Sequence, residues 1–270
     1  MNIIEKYNQR ADKVNSLVCV GLDTDWEKIP EAYKKLSCPQ FEFNKFIIEE
    51  THQYVAAFKP NSAFYEARGD QGIRELKMTM DYLQAKYPDI LTILDAKRGD
   101  IDNTNKGYID FILDWLGFDA VTVSPYLGEE SLEPFLKRAD KGIIILCRTS
   151  NPGAGDIQDL MVEGRPLWQV VAEKVKNKWN KNNNCLLVVG ATHSEEMKII
   201  RQLAPEMTFL VPGVGVQGGN IESVVKSGID FKGKGLIINS SRGIIFSENP
   251  GQEAKKLRDE INKYRFNNKH

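Results

Sequence analysis

The sequence of 270 residues has little histidine, little cysteine and no long apolar run. Its three histidines show neither an HExxH spacing nor a cysteine neighbour, which argues against a histidine-based metal site. Its four cysteines show no CxxC spacing and three of them fall inside apolar runs, so we expect reduced core thiols. No apolar run approaches the roughly 18 residues of a membrane-spanning helix, and the N-terminal segment is amphipathic rather than a signal peptide.

An excess of either charge is also missing. The chain has 36 Lys and Arg against 37 Asp and Glu, a formal net charge of -1. This balance gives no general electrostatic reason to bind nucleic acid or an anionic membrane surface. We therefore expect a cytoplasmic protein with no nucleic-acid or membrane partner, in which any anionic ligand is held by a local group of residues.

Eight short runs rich in β-branched and other apolar residues alternate with segments of helical periodicity. Eight such units in about 250 residues are typical of a (β/α)8 TIM barrel, and the alternative is a doubly wound open sheet. Because no linker or change of composition divides the chain, residues 1–270 are predicted to form a single domain with a short N-terminal helix. The predicted strands lie within residues 17–23, 54–60, 91–97, 120–125, 142–150, 185–194, 208–214 and 235–242.

Polar and charged residues collect at the C-terminal ends of these runs, where barrels of this type place their active sites. Asp95 and Lys97 are two residues apart, so the sequence predicts that both point to the same side of the third strand, with Asp100 in the following loop. A lysine held between carboxylates stays protonated, which suits a proton donor better than a Schiff-base nucleophile. The other polar strand ends are Asp23, Lys59, Arg148 to Ser150, and Ser240 to Arg242.

A glycine-rich stretch with the spacing GxGxxG, at Gly213, Gly215 and Gly218, follows the seventh predicted strand. As a dinucleotide motif it is misplaced, because it does not follow the first strand and has no clear acidic residue at the expected distance. In a barrel, however, the loops after strands seven and eight commonly bind phosphate through backbone N–H groups. Arg242 would add a bidentate guanidinium, and Gln217 is long enough to reach from the phosphate to the rest of a ligand.

Six segments of the chain together carry a resemblance to a known family. In order along the sequence they are VGLDTD, AFKPNSAFYE, LDAKRGDIDNT, TSNPGAG, VPGVGVQGG and NSSRGI. Taken together, they closely resemble orotidine 5'-phosphate decarboxylase, in the branch that keeps a TSNPGA segment. The match covers nearly the whole predicted barrel. It implies a carboxy-lyase that converts orotidine 5'-phosphate to UMP and CO2 in de novo pyrimidine biosynthesis, with no metal and no cofactor.

The resemblance also implies roles for individual residues. Lys97 would protonate C6 of the pyrimidine, Asp95 would lie beside the substrate carboxylate, and Lys59 would contact both Asp95 and the ribose. Asp100, accompanied by Thr104, would reach into the partner's site in a homodimer. The expected substrate-binding residues are Asp23 at the ribose, Ser150 at the pyrimidine, Gln217 between base and phosphate, Arg242 at the phosphate, and Thr104, Pro212, Gly213 and Gly243.

Two other functions stay open at this stage. A magnesium-dependent sugar-phosphate decarboxylase or synthase of the same superfamily also carries DxKxxD, but those relatives place a metal-binding acid where this chain has Lys59. A non-catalytic nucleotide-binding barrel is expected to have lost the proton donor, whereas Lys97 is present. Separately, the acidic, glycine-containing segment 153–164 is a candidate lid, whose deletion should weaken turnover more than phosphate binding.

Overall fold

The computed structural model describes residues 2–214 and 219–265. Within them, eight parallel strands form a closed barrel surrounded by helices, which confirms the predicted (β/α)8 architecture over the open sheet. An additional antiparallel hairpin, β6 (Met161–Val162) and β7 (Arg165–Pro166), lies between two barrel strands in the chain. The barrel strands are β1 (Val18–Val20), β2 (Ala57–Phe58), β3 (Leu91–Arg98), β4 (Ala120–Val123), β5 (Gly142–Arg148), β8 (Cys185–Val189), β9 (Phe209–Val211) and β10 (Leu236–Ser240).

The barrel closes where the first strand meets the last. Val18 of β1 is in register with Ile238 of β10, while Cys19 pairs with Ala57 of β2 on the other side. All three residues of β1 are buried, as are those of β9. Strands covered on both faces have no solvent side, which explains why their sequences are continuous apolar runs rather than alternating ones.

Helices follow the strands and cover the outside of the barrel. No helix in the part of the chain that the structure describes is long and apolar enough to cross a membrane. Two helices, α6 (Asp102–Ile109) and α9 (Leu167–Lys174), continue into π-helical turns at Asp110–Trp115 and Val175–Trp179. The helices are α1 (Ile3–Val14), α2 (Glu31–Lys34), α3 (Pro39–Thr51), α4 (Ala63–Glu66), α5 (Gly69–Lys86), α6 (Asp102–Ile109), α7 (Glu129–Leu136), α8 (Gly155–Gln158), α9 (Leu167–Lys174), α10 (Ser194–Leu203), α11 (Ile221–Gly228), α12 (Arg242–Ile245) and α13 (Pro250–Arg265).

The predicted N-terminal helix is present as α1. It begins with a capping box, in which Asn2 accepts the N–H of Ile4 at 2.8 Å and Glu5 accepts the N–H of Asn2 at 3.1 Å. The buried Tyr7 hydroxyl donates to the carbonyl oxygen of Leu236, the first residue of β10. The helix is therefore attached at the N-terminal ends of the strands, away from the end predicted to carry the chemistry.

The four cysteines are free thiols. Cys19, Cys147 and Cys185 are buried, whereas Cys38 is partly exposed. Burial raises the pKa of the Cys19, Cys147 and Cys185 thiols to about 12. At neutral pH these three side chains are therefore neutral core residues rather than nucleophiles.

Candidate active site

The C-terminal ends of the barrel strands surround a cavity of about 460 Å³. Because parallel strands place these ends at one edge of the barrel, polar residues far apart in the sequence meet there. The sequence-predicted residues that line the cavity are Asp23, Lys59, Asp95, Lys97, Ser150, Pro212, Gly213 and Arg242.

An array of alternating charges occupies one side of this cavity. The Lys59 ammonium lies 3.3 Å from Oδ2 of Asp95 and 3.9 Å from Oδ1 of Asp23. The Lys97 ammonium lies 2.7 Å from Oδ1 of Asp95. Asp95 is thus held between two cations, and the expected contact between Lys59 and Asp95 is present.

Burial and charge compete in setting the ionisation of this array. Burial by itself lowers the pKa of Lys59, whose side chain is 3% exposed, but Asp23 and Asp95 outweigh it and raise that pKa. Burial likewise favours a higher pKa for Asp95, but Lys59 and Lys97 outweigh it and hold the pKa of Asp95 well below its usual range. At neutral pH the buried lysine is a cation and the aspartate beside it an anion.

The backbone of β3 is distorted where the array lies. Lys97 has a φ of 47°, in the left-handed region, and the register between β3 and β4 shifts between Leu94 and Arg98. The N–H of Lys97 donates to Oγ1 of Thr122 in β4 at 2.9 Å. Asp95 and Lys97 do reach the same cavity, as predicted, but through this distortion rather than through regular strand alternation.

Two cavity residues to which the sequence analysis gave no role also contact the array. Thr122 donates through Oγ1 to Oδ1 of Asp95 at 2.9 Å. Asn61 donates through its backbone N–H to Asp23 at 3.1 Å and through Nδ2 to Asp95 at 3.4 Å. The sequence contains a weak signal for each of these two residues. Thr122 is a polar residue inside the apolar run AVTV, and Asn61 is an asparagine two residues after Lys59.

Asp100 and Thr104 do not line the cavity of their own chain. The Asp100 carboxylate accepts the N–H of Ile101 at 2.7 Å, and its backbone N–H donates to Asn105 at 3.0 Å. Thr104 is exposed in the first turn of α6. Their role at a partner's site stays a prediction.

The described residues predicted for the phosphate lie just after two neighbouring strands, β9 and β10. Pro212 and Gly213 directly follow β9, and Arg242 begins α12 just after β10. Gly213 has a φ of 94°, a conformation that favours glycine. Gly243 is the next residue of α12 and does not line the cavity, while Gln217 lies outside the described residues.

The segment 153–164, hereafter the capping segment, lies beside the cavity and contains α8 and β6. Gln158 at the end of α8 lines the cavity, and its Oε1 accepts the N–H of Thr149 at 3.0 Å. Its Nε2 donates to Oγ1 of Thr149 at 2.8 Å. The segment therefore contacts the strand end next to Ser150, and its function as a lid stays a hypothesis.

Comparison with known proteins shows similarity over nearly the whole chain. Residues 16–257 match the family described as "Orotidine 5'-phosphate decarboxylase / HUMPS family". A protein of Cellvibrio japonicus named orotidine 5'-phosphate decarboxylase is 48% identical over 260 residues, which are 96% of this chain and 94% of that one.

Two solved structures from Leishmania donovani extend the similarity to the fold. A structure titled OMP decarboxylase has a TM-score of 0.88 and 40% identity, and the match covers 98% of this chain and all of that one. A structure titled UMP synthase has a TM-score of 0.90 and 42% identity; the match covers 98% of this chain but only 57% of that one. With nearly its full length matched in sequence and in structure, the chain belongs to the orotidine 5'-phosphate decarboxylase / HUMPS family.

Proposed function

We propose that this protein decarboxylates orotidine 5'-phosphate to UMP and CO2 in pyrimidine biosynthesis, without a metal or a cofactor. The observation that carries the proposal is the array of Lys59, Asp95 and Lys97 in the cavity at the strand ends. The Cellvibrio japonicus relative and the Leishmania donovani structure titled OMP decarboxylase carry the name of this activity.

The chemistry requires a cation beside a developing carbanion. When the bond between C6 and the carboxylate breaks, CO2 leaves and the bonding electron pair stays on C6. In our proposal the Lys97 ammonium stabilises this charge and then gives a proton to C6, which forms the C6–H bond of UMP. The resulting neutral amine regains a proton from solvent, which reaches it because the Lys97 side chain is 50% exposed.

Asp95 and Lys59 are proposed to fix the geometry of this step. The lowered pKa keeps Asp95 anionic, and the two ammonium groups hold its carboxylate in place. An anion in this position lies beside the substrate carboxylate and orients Lys97 toward C6. Because these charges are already arranged before substrate binds, little reorganisation is needed during the reaction.

Binding of the rest of the substrate follows from the other cavity residues. Asp23 is proposed to bind the ribose together with Lys59, and Ser150 the pyrimidine. Arg242 is proposed to bind the phosphate, with Pro212, Gly213, Gly243 and Gln217 as further contacts. The phosphate lies away from the reacting bond, so its binding energy can be used to close the site and raise the rate.

We also propose that the enzyme is a homodimer of single-domain chains, residues 1–270, with Asp100 and Thr104 contributed to the partner's site. Exposed apolar side chains support such a contact. Ile101, in the loop after β3, is 53% exposed, and Tyr126 and Leu127, in the loop after β4, are 79% and 50% exposed. The two loops begin side by side, because the Ser124 N–H, just after β4, donates to the carbonyl oxygen of Arg98, the last residue of β3, at 2.7 Å.

The position of Lys59 weighs against the magnesium-dependent alternative. Its ammonium lies buried at the place where those relatives carry a metal-binding acid, and a cation there repels Mg²⁺. The presence of Lys97 in contact with Asp95 weighs against a barrel that only binds nucleotide.

The test is the ultraviolet absorbance of orotidine 5'-phosphate incubated with the purified protein in EDTA. We expect conversion to UMP by the wild type and a loss of at least about 1000-fold in Lys97→Ala, because the proton donor is gone. Lys137→Ala, which removes a lysine on the outer surface at the end of α7, is the matched control and should keep full activity. No conversion in EDTA, with turnover of a sugar phosphate once Mg²⁺ is added, would refute the proposal.

A further inference from the structure

A buried arginine at the end of β5 connects the barrel to the capping segment. The Arg148 side chain is 7% exposed, and its Nη1 and Nη2 lie 3.0 Å and 3.2 Å from Oδ1 and Oδ2 of Asp159. Its Nη2 also lies 3.3 Å from Oε1 of Glu196 in α10. Glu196 in turn contacts Nδ1 of His193 at 3.1 Å. The guanidinium therefore holds carboxylates from two separate parts of the chain.

The pair with Asp159 differs from an ordinary surface ion pair. A surface pair contributes little because both side chains must be ordered from solvent. Here the guanidinium is already ordered by burial. Its Nη2 donates to Oδ2 of Asp159, while Nη1 lies close to Oδ1 of the same carboxylate as an ion pair without hydrogen-bond geometry. Only the Asp159 side chain has to lose freedom when the pair forms, which lowers the entropic cost.

Asp159 directly follows Gln158, the residue of α8 that lines the catalytic cavity. Gln158, the last residue of α8, lines that cavity and makes two hydrogen bonds to Thr149, which directly follows Arg148 at the end of β5. Gln158 and Asp159 are thus bound by neighbouring residues of one strand end. Moving Asp159 would also move Gln158.

Apolar packing does little to hold α8 in the same position. Ile157 is 49% exposed, and it lines a second cavity of about 470 Å³ whose walls include Leu146 and Trp168. Leu160, which follows Asp159, is 54% exposed. With one side of α8 facing open space and its next apolar residue facing solvent, the polar contacts to Arg148 and Thr149 set its position.

We propose that Arg148 is a positioning residue, which through Asp159 holds α8 and Gln158 against the side of the catalytic cavity that contains Ser150. This inference rests on the proposed function for its kinetic consequence, because the pyrimidine is expected at Ser150. We expect phosphate binding on the other side of the cavity, at Gly213 and Arg242, not to depend on the ion pair of Arg148 with Asp159.

The variant chosen for the test is Asp159→Asn, since removing Arg148 itself would also break the ion pair with Glu196. Asparagine keeps the size of the side chain and removes the charge, and Arg148 keeps Glu196. The matched control is Glu173→Gln, which breaks the ion pair of Arg165 in β7 with α9, outside the cavity.

The first readout needs no turnover. Hydrogen exchange followed by mass spectrometry on the ligand-free protein should show amides 155–160 exchanging about 10-fold faster in Asp159→Asn, while Glu173→Gln matches the wild type there. The second readout is kinetic: kcat/KM for orotidine 5'-phosphate should fall about 10-fold in Asp159→Asn, with the inhibition constant of inorganic phosphate unchanged.

Unchanged exchange at 155–160 in Asp159→Asn would overturn the inference. So would a weakening of phosphate inhibition by the same factor as kcat/KM, because that result indicates general damage to the barrel. If the wild type fails to decarboxylate the substrate but exchange at 155–160 still accelerates in the variant, the proposed function is wrong and the positioning by Arg148 stands.

Discussion

Lys97, the proposed proton donor, has an unfavourable backbone conformation. A non-glycine residue with a φ of 47° pays roughly 1 kcal/mol relative to glycine, and such residues persist where surrounding contacts fix them. At Lys97 the fixing contacts are the hydrogen bond from its N–H to Thr122 and the ion pair with Asp95. The conformation therefore lowers the stability of β3 and places the Lys97 ammonium against Asp95.

This strain predicts an unusual order of stabilities for two variants that lack the Lys97 ammonium. Lys97→Gly should have a free energy of unfolding about 1 kcal/mol higher than Lys97→Ala, because both lose the ammonium but only alanine keeps the Cβ that disfavours a positive φ. Urea unfolding at pH 7 measures the difference. An alanine variant as stable as the glycine variant would show that the backbone at this position is unstrained.

The ionisation of Asp95 makes a separate prediction about pH. Its pKa is lowered in the folded protein, so its contribution to stability is present above its ordinary pKa of 3.8 and is lost as the pH falls below that value. The difference in unfolding free energy between the wild type and Asp95→Asn should therefore be constant from pH 7 to about 5 and shrink below about 4, by up to about 1.4 kcal/mol per pH unit. Urea unfolding across this range measures it, and a difference independent of pH contradicts the assignment.

At the scale of elements, the junction between α4 and α5 is connected to the candidate active site through a chain of contacts. The backbone of Gly72 in α5 passes so close to the Tyr65 carbonyl oxygen that a Cβ would overlap it. Tyr65 is fully buried, and its hydroxyl donates to the Leu22 carbonyl oxygen at 2.7 Å. Because Leu22 precedes Asp23, the packing of two helices is connected to a predicted ribose-binding residue.

Alanine substitutions at two helical glycines should therefore act in opposite directions. Gly72→Ala should lower the free energy of unfolding by about 1–3 kcal/mol through overlap with Tyr65, although alanine is the better helix former. Gly107→Ala in α6, where a Cβ meets no atom within 4 Å, should raise it by roughly 0.5–1 kcal/mol. Chemical unfolding of both variants measures the two effects, and a neutral or stabilising Gly72→Ala would show that the junction can relax.

The elements differ in how far the sequence predicts them. Each of the eight predicted runs overlaps a barrel strand, because burial on both faces leaves a local apolar signal. The hairpin of β6 and β7 leaves none, since its strands have two residues each, and Met161 and Val162 are exposed. The ion pair of Arg165 with Glu173 joins the hairpin to the following helix, but no apolar pattern in the sequence marks that contact.

The candidate site shows the same division. The charged strand ends of Asp95 and Lys97 were visible because charge at the end of an apolar run is unusual. The left-handed backbone of Lys97 and the contact of Asp95 with β4 could not be predicted from the sequence. Thr122 reaches Asp95 and Lys97 only because β3 and β4 pair in the folded barrel. Pairings between distant positions such as Arg148 and Asp159 likewise depend on the folded path of the chain.

At the scale of the whole molecule, the proposed dimer makes each site depend on two chains. Lys97→Ala and Asp100→Ala should each be inactive alone. In a mixed dimer, one site receives both defects and the other receives neither, so a mixture refolded together should recover about a quarter of wild-type activity when the subunits combine at random. Decarboxylation by the separate and mixed variants measures this, and no recovery despite mixed dimers would place Asp100 outside the partner's site.

The closure of the barrel by β1 and β10 has a consequence for synthesis of the protein. The N–H of Gly21, just after β1, donates to the Ser240 carbonyl oxygen of β10 at 2.9 Å. While the chain is being translated, Lys59 and Lys97 leave the ribosome long before β10 has been synthesised. Until β10 has been made, β1 and β9 each keep an open edge that can pair with another nascent chain. We therefore expect the last strand both to complete the side of the cavity proposed to bind phosphate and to end the period in which an open sheet edge favours aggregation.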